Sequence, residues 1–311
     1  MDDLLSPILA VVGLVAQLLQ IYLTAFFKYI LPYQYLPKKS LSSKKVLITG
    51  AGSGLGKLLA RKFAAKGAIL ILWDVNGNAI EELQSELKSS GAEVHSHQVD
   101  LCDSKRIAEM ARKVRDEIGK VDILVNNAGV ATAKLIMDTT EEDIERSFAV
   151  NVKSHFYTVQ QFLPAMLDAN DGHIVTIASA AGKMASAGLA DYSSSKHACV
   201  GFHDSMVAEI LLNEKTGVKT TLVCPYYFHT PMFDATGAST RFPSLFPILD
   251  GEYVGQKIFE AIETEQEYLV TPRGFYWVLP STHFLPYSAQ KLVGEFFGLI
   301  QSLHRFHAQK K

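Results

Sequence analysis

Two hydrophobic patterns divide the chain. From Leu4 to Phe27 no charged residue interrupts the sequence. At about 1.5 Å per residue this stretch makes a helix of roughly 36 Å, longer than the ~30 Å hydrocarbon core of a bilayer. Gly13, Gln17, Gln20 and Thr24 fall at i, i+4, i+7 and i+11, which lines small or polar residues along one face. The segment therefore suits a spanning helix or one lying in a single leaflet, with a buried helix of a soluble core as the third reading. Asp2 and Asp3 precede it, and Lys28, Lys38, Lys39, Lys44 and Lys45 follow. That bias places the rest of the chain on the cytosolic side. A cleavable signal peptide fits poorly, because no basic stretch comes before the apolar run and no small-x-small site after it.

From Lys44 the pattern becomes short β-rich runs alternating with amphipathic stretches. The strand candidates are Lys45–Thr49, Ile69–Trp73, Glu93–Val99, Asp122–Asn126, His173–Ala178, Val218–Cys224 and Glu267–Thr271. Helical stretches begin near Gly54, Gly77, Asp103, Glu141, Tyr192 and Tyr253. Mostly continuous apolar strands separated by helices imply a parallel sheet covered on both faces. After Thr271 the alternation ends, and residues 274–290 carry no formal charge. Leu292, Val293, Phe296, Phe297, Leu299, Ile300 and Leu303 continue the apolar character at helical spacing. The expected division is an anchor and juxtamembrane segment (1–37), an α/β domain (38–273) and a C-terminal arm (274–311) that either packs on its own domain or forms a membrane-contacting or lid element.

Composition adds exclusions. The chain has 311 residues, 48% of them apolar and 20% charged, with a net charge of −2. Disorder is excluded by the apolar content, and nucleic-acid binding is disfavoured by the near-neutral balance. Cys102, Cys199 and Cys224 form neither a disulfide framework nor a zinc pattern. No metal site is expected, since His95 and His97 alternate on a strand without further ligands. Histidines in general are expected near the surface. Cys199 reads as a small core residue, and Trp73 and Trp277 as packing or interface anchors.

Immediately after the first strand comes Thr49-Gly50-Ala51-Gly52-Ser53-Gly54-Leu55-Gly56, followed by a helix. Glycines there permit a sharp turn, a close approach to a pyrophosphate, and tight packing of helix on sheet; the helix N-terminus supplies N–H donors. The second strand leads into Asp74, 24 residues beyond Gly50. A carboxylate at that place accepts bonds from the ribose hydroxyls of NAD and repels the 2′-phosphate of NADP. No Lys or Arg among Ala51, Gly52, Ser53, Val75 and Asn76 offsets this repulsion, so NAD is expected.

Tyr192 and Lys196 stand four apart on one helix face, and Ser179 lies 13 residues before Tyr192, just past a strand. A phenol with an ordinary pKa of about 10 is too basic to exchange protons near pH 7. Lys196 and an oxidised nicotinamide ring both favour phenolate, and a shift of about three units is expected from them.

Together these motifs resemble the short-chain dehydrogenase/reductase family. The resemblance runs from about Lys44 to Thr271 and rests on TGxxxGxG at Thr49–Gly56, NNAG at Asn126–Gly129, Asn151, Ser179, and YxxxK at Tyr192 and Lys196. It implies a Rossmann-type doubly wound fold with a seven-stranded parallel sheet. It also implies Tyr192 as general acid/base, Lys196 lowering its pKa and holding the nicotinamide ribose, Ser179 orienting the substrate oxygen, and Asn151 positioning a water for proton relay. The implied cofactor contacts are Gly50, Ser53, Gly54, Leu55, Gly56 and Asp74, Asp100 and Leu101 at the adenine, Asn126, Ala128 and Gly129, then Tyr192, Lys196, Pro225 and Thr230. Tyr226 stands where the family's PGxxxT element has glycine, which puts the local loop path in doubt.

The runs at Leu70–Asp74, His173–Gly182, Val200–Ser205 and Thr220–Pro225, together with the N-terminal anchor, resemble the membrane-bound branch of retinol dehydrogenases and lipid-droplet 17β-hydroxysteroid dehydrogenases. Arg241–Pro247 is similar to retinoid-handling members. The resemblance implies oxidation of a lipophilic alcohol, all-trans-retinol first and a hydroxysteroid or other lipid alcohol second. It places the protein at the endoplasmic reticulum membrane or a lipid droplet, with its catalytic domain facing the cytosol, and implies a homodimer. The competing class is a lipid-binding protein that keeps the fold without catalysis, for which the intact set Asn151, Ser179, Tyr192 and Lys196 would be superfluous.

Overall fold

The computed structural model describes residues 2–234, 241–242 and 246–296. Residues 243–245 of the Arg241–Pro247 segment, and Phe297, Leu299, Ile300 and Leu303, lie outside the described residues. Residues 1–39 and 40–311 form two compact units.

The first unit is dominated by helix α1 (Asp2–Ile30). Its stretch Leu9–Phe27 is long and apolar enough to cross a membrane, and none of it is buried. Within the polar stripe, Thr24 Oγ1 donates to the Gln20 carbonyl at 2.8 Å, so that hydroxyl is satisfied inside the helix. A short 3₁₀ turn at Tyr33–Tyr35 follows, with the Lys38 ammonium 4.1 Å from the centre of the Tyr33 ring.

The second unit is built on seven parallel strands: β1 (Lys45–Thr49), β2 (Ile69–Asp74), β3 (Val94–Gln98), β4 (Ile123–Asn126), β5 (Gly172–Ile177), β6 (Val218–Pro225) and β7 (Tyr268–Thr271). Their order is β3-β2-β1-β4-β5-β6-β7. Alternation along each strand divides the apolar side chains between two faces. Val46, Ile48, Leu70 and Leu72 join one core with α2 (Gly54–Ala64) and α3 (Gly77–Ser89), while Leu47, Ile71 and Trp73 join the other with α4 (Ser104–Glu117). Both faces are covered, as the continuous apolar strands predict.

The helical stretch expected from Glu141 is interrupted. Helix α5 (Glu141–Phe148) begins with a capping box between Thr140 and Asp143, and residues 149–153 widen into a π turn before α6 (Ser154–Ala169). Helix α7 (Ala190–Leu212) starts two residues before Tyr192. A one-turn α8 (Pro231–Asp234) follows β6, and α9 (Gly251–Glu263) packs on α2, with Phe63 and Phe259 in edge-to-face contact at 5.2 Å.

The arm forms α10 (Phe275–Phe284) and α11 (Tyr287–Phe296). Phe275 and Leu279 are buried, and Tyr276 Oη accepts from the Val270 amide and donates to the Tyr268 carbonyl, which fastens α10 to β7. Trp277, Phe284, Tyr287 and Leu292 are exposed.

Not all histidines are superficial. His155, His173 and His203 are buried, the last two bonded to the hydroxyls of Thr221 and Thr176. The expected surface placement fails because helices cover both faces of the sheet and neighbouring hydroxyls satisfy neutral imidazoles there.

Candidate active site

The strand order reverses between β1 and β4, which opens a crevice at the carboxyl ends of the strands. A cavity of about 560 Å³ occupies it.

At one end the glycine turn is shaped by close approaches. Gly50 has φ of +64°, and a Cβ there would lie 2.8 Å from Ala128 Cα. A Cβ on Gly56 would lie 2.1 Å from the Gly50 carbonyl oxygen, so Gly56 lets α2 close on the turn and does not itself line the cavity. Ser53 is the N-cap of α2 and makes no side-chain capping bond, which leaves the first N–H groups of the helix directed to the turn. Asp74 stands beside it; Oδ2 accepts from the Gly52 amide and Oδ1 from the Asn76 amide, both at 2.9 Å. These residues fit the pyrophosphate and adenosine ribose of a dinucleotide.

Gly50, Ser53, Gly54, Leu55, Asp74, Asp100, Leu101, Ala128, Gly129, Ser179, Tyr192, Lys196, Pro225 and Thr230 all line the cavity. Asn126 and Asn151 do not. Asn126 turns into the core, where Oδ1 accepts from Thr158 Oγ1 at 2.8 Å. Its neighbour Asn127 takes the cleft position and donates to the carbonyls of Thr49 and Gly50 at 2.9 and 3.2 Å. The doublet Asn126-Asn127 carried that signal, but only the end of β4 at Asn126 decides which member faces the crevice.

Asn151 sits in the π turn and is fully buried. Its Oδ1 accepts from the Val130 amide at 2.8 Å, and Nδ2 donates to the Val130 carbonyl and to Ser195 Oγ, both at 2.9 Å. The side chain thus ties the segment after β4 to α7.

Tyr192 and Lys196 project from the first turns of α7, the ammonium 5.8 Å from the centre of the phenol ring. Ser179 follows β5 and its hydroxyl is hydrogen-bonded to the phenol. Lys196 Nζ donates to the Ile177 carbonyl at 2.8 Å, and a Cβ on Gly129 would lie 3.5 Å from it. Burial pushes the phenol above its ordinary value, the Ser179 bond acting in the opposite direction, and burial pushes the Lys196 ammonium down. Within the polypeptide, burial is the largest influence on both groups. Both groups are desolvated, and desolvation disfavours the charged form of each.

The wall beyond Tyr192 is apolar and aromatic. Tyr226 is buried and lies 4.6 Å from Phe275 between ring centres, with Tyr227 at 5.1 Å. The bulky residue in the family's glycine position is thus packed against α10. Cys199 is buried with Sγ 3.6 Å from His155 Nδ1, and its thiol is pushed up by burial. Among the described residues no group of three or more His, Cys, Asp or Glu side chains could hold a metal ion.

A short chain dehydrogenase family profile matches residues 44–240. The chain is 42% identical over 276 residues to epidermal retinol dehydrogenase 2 of Mus musculus, covering 88% of this chain and 89% of that one. A short-chain dehydrogenase/reductase from Burkholderia phymatum in complex with NAD superposes with a TM-score of 0.71 at 29% identity, covering 79% of this chain and 95% of that one. A metagenomic short-chain oxidoreductase in complex with NADP superposes with a TM-score of 0.62 at 27% identity, covering 75% and 97%.

Proposed function

This chain belongs to the short-chain dehydrogenase/reductase family, as an oxidoreductase of the retinol dehydrogenase-like branch, and we propose that it oxidises all-trans-retinol or a closely similar lipophilic alcohol with NAD. The observation that carries this reading is one cavity shared by the glycine turn, the Ser179–Tyr192 pair and an aromatic wall.

Bound NAD would supply the carbon that accepts hydride and a positively charged ring. The remaining work falls to the chain. Ser179 and Tyr192 hold the alcohol oxygen between their hydroxyls, and Tyr192 Oη takes its proton. Lys196 holds the nicotinamide ribose and, together with the positive ring, favours the phenolate. Asn151 fixes the Val130 segment and α7 around the site, and the widened turn it occupies is the place for a relay water.

Asp74 supports NAD over NADP, because its carboxylate is pinned toward the turn and no Lys or Arg stands within Ala51–Ser53 or Val75–Asn76. The aromatic wall and the unburied apolar helix favour a substrate dissolved in lipid. We place the protein at the endoplasmic reticulum membrane with its catalytic unit in the cytosol, and at lipid droplets where these form. The arm's exposed Trp277 and Phe284 extend that contact. Phe156 on α6, half exposed and 4.4 Å from Phe202 of α7 between ring centres, supports a homodimer through these helices. A purely lipid-binding protein would leave the buried Lys196 and the Ser179–Tyr192 pair without a task.

The test is NADH production by membrane fractions given all-trans-retinol, 17β-hydroxysteroids or long-chain alcohols, with Tyr192→Phe as the blank. Retinol is expected to give the highest kcat/KM and the variant almost none. A hydroxysteroid preference would move the assignment to that substrate, and near-normal turnover by Tyr192→Phe would remove the mechanism.

A further inference from the structure

The segment leaving β4, Val130 to Leu135, is fastened at every second residue. Val130 exchanges two backbone bonds with the Asn151 amide, Thr132 Oγ1 donates to Asp191 Oδ2 at 2.9 Å, and Lys134 pairs with Asp143. The three fasteners reach three elements: the π turn, α7 and α5. Between two of them Ala133 has φ of +53°, a left-handed conformation that disfavours any residue with a Cβ. Ala131 packs against Leu189 and Tyr192, so this strap forms part of the wall around the phenol.

Asp191, next to Tyr192, is the central fastener. It is buried, and Oδ2 also accepts from Ser147 Oγ of α5 at 2.6 Å. Both partners are neutral hydroxyls, and Oδ1 is buried without a hydrogen-bond partner. Asparagine could bond the same hydroxyls through its amide oxygen without carrying a charge. The charge makes the bond to Thr132 stronger than a neutral one, and so holds the strained strap more firmly.

We propose that Asp191 is a positioning residue for the alcohol: through Thr132 it holds the Val130–Leu135 strap against Tyr192, so that the base and one wall of the substrate site move as one piece. This rests on Tyr192 acting as the base of the proposed reaction.

Two variants separate this role from simple buttressing, because each removes one of the two bonds to the same oxygen. Thr132→Val releases the strap, whereas Ser147→Ala releases only α5. Thr132→Val is expected to raise KM for all-trans-retinol about tenfold, leave KM for NAD within about twofold, and speed amide exchange at residues 130–135 about tenfold. Ser147→Ala is expected to leave all three within about twofold. Asp191→Ala should reproduce Thr132→Val, and if it fails to fold the single-bond variants still decide. Equal effects of Thr132→Val and Ser147→Ala, or a lower Tm for Thr132→Val with unchanged KM and exchange, would overturn the proposal. Should the wild type not oxidise retinol, the functional reading falls, and unchanged exchange at 130–135 in Thr132→Val would still sink the strap by itself.

Discussion

The hydrogen bond between Ser179 and Tyr192 opposes what burial does to the phenol. Removing it in Ser179→Ala leaves only the upward push. The rising limb of kcat/KM against pH should therefore move to higher pH, with kcat reduced about 10²-fold or more. A pH profile of unchanged position would show that Ser179 has no hold on the proton. Asp74 accepts from the amides of Gly52 and Asn76, and in the proposed reading it also meets the ribose. Asp74→Ser should lower the NAD to NADP ratio of kcat/KM by at least about tenfold. It should also lower Tm, since bonds from amides to a charged acceptor are lost. The types of the site residues were legible in the sequence because the chemistry demands them. Orientation was not, since nothing in the doublet says that Asn126 ends β4 with its side chain in the core while Asn127, just past the strand, turns to the crevice. The effect of burial on Tyr192 and Lys196 was also hidden, because desolvation depends on what the rest of the chain packs around them.

Among the elements, all seven strands stand within two residues of their expected places. Six of them do so because a mostly buried strand is marked by its own apolar composition. Strand β3, with Val94 alone buried, is instead marked by the β-branched ends of its run and its place in the alternation. The π turn at residues 149–153 was invisible to periodicity, since one widened turn leaves the apolar spacing on either side intact. The arm's role was equally hidden, because its contact is made by residues far apart in sequence. Tyr226, at the end of β6, meets Phe275 of α10, and Tyr276 closes on β7. Tyr226→Ala should accordingly do two things at once. It should destabilise the protein by about 3 kcal/mol, the usual range for deleting a buried ring. It should also enlarge the cavity, which Tyr226 lines, improving kcat/KM for bulkier alcohols relative to slimmer ones. If chemical denaturation shows no loss of stability, α10 does not depend on this contact.

At the scale of the whole molecule, burial holds His155 near about 3 and His203 near about 4, below the ordinary value of 6.5. Between pH 6.5 and 4 the unfolded chain binds protons that the folded chain refuses. Stability should therefore fall as pH drops through that window, by up to about 1.4 kcal/mol per pH unit for each histidine. A Tm that stays flat from pH 7 to 5 would contradict this. The buried Lys196 ammonium adds a second linkage. It donates to one backbone carbonyl, and no carboxylate pairs with it among the described residues. A dinucleotide held in this cleft, as proposed above, would offer that charge hydroxyl partners and would bind only the folded chain. NADH at a hundredfold excess over its Kd should raise stability by about 2.7 kcal/mol, read as a shift in Tm. Cofactor thereby becomes a curator of the protein as well as its reagent. Copies made where dinucleotide is scarce would unfold and be cleared sooner, so the amount of enzyme in a cell would follow the supply of the molecule it uses.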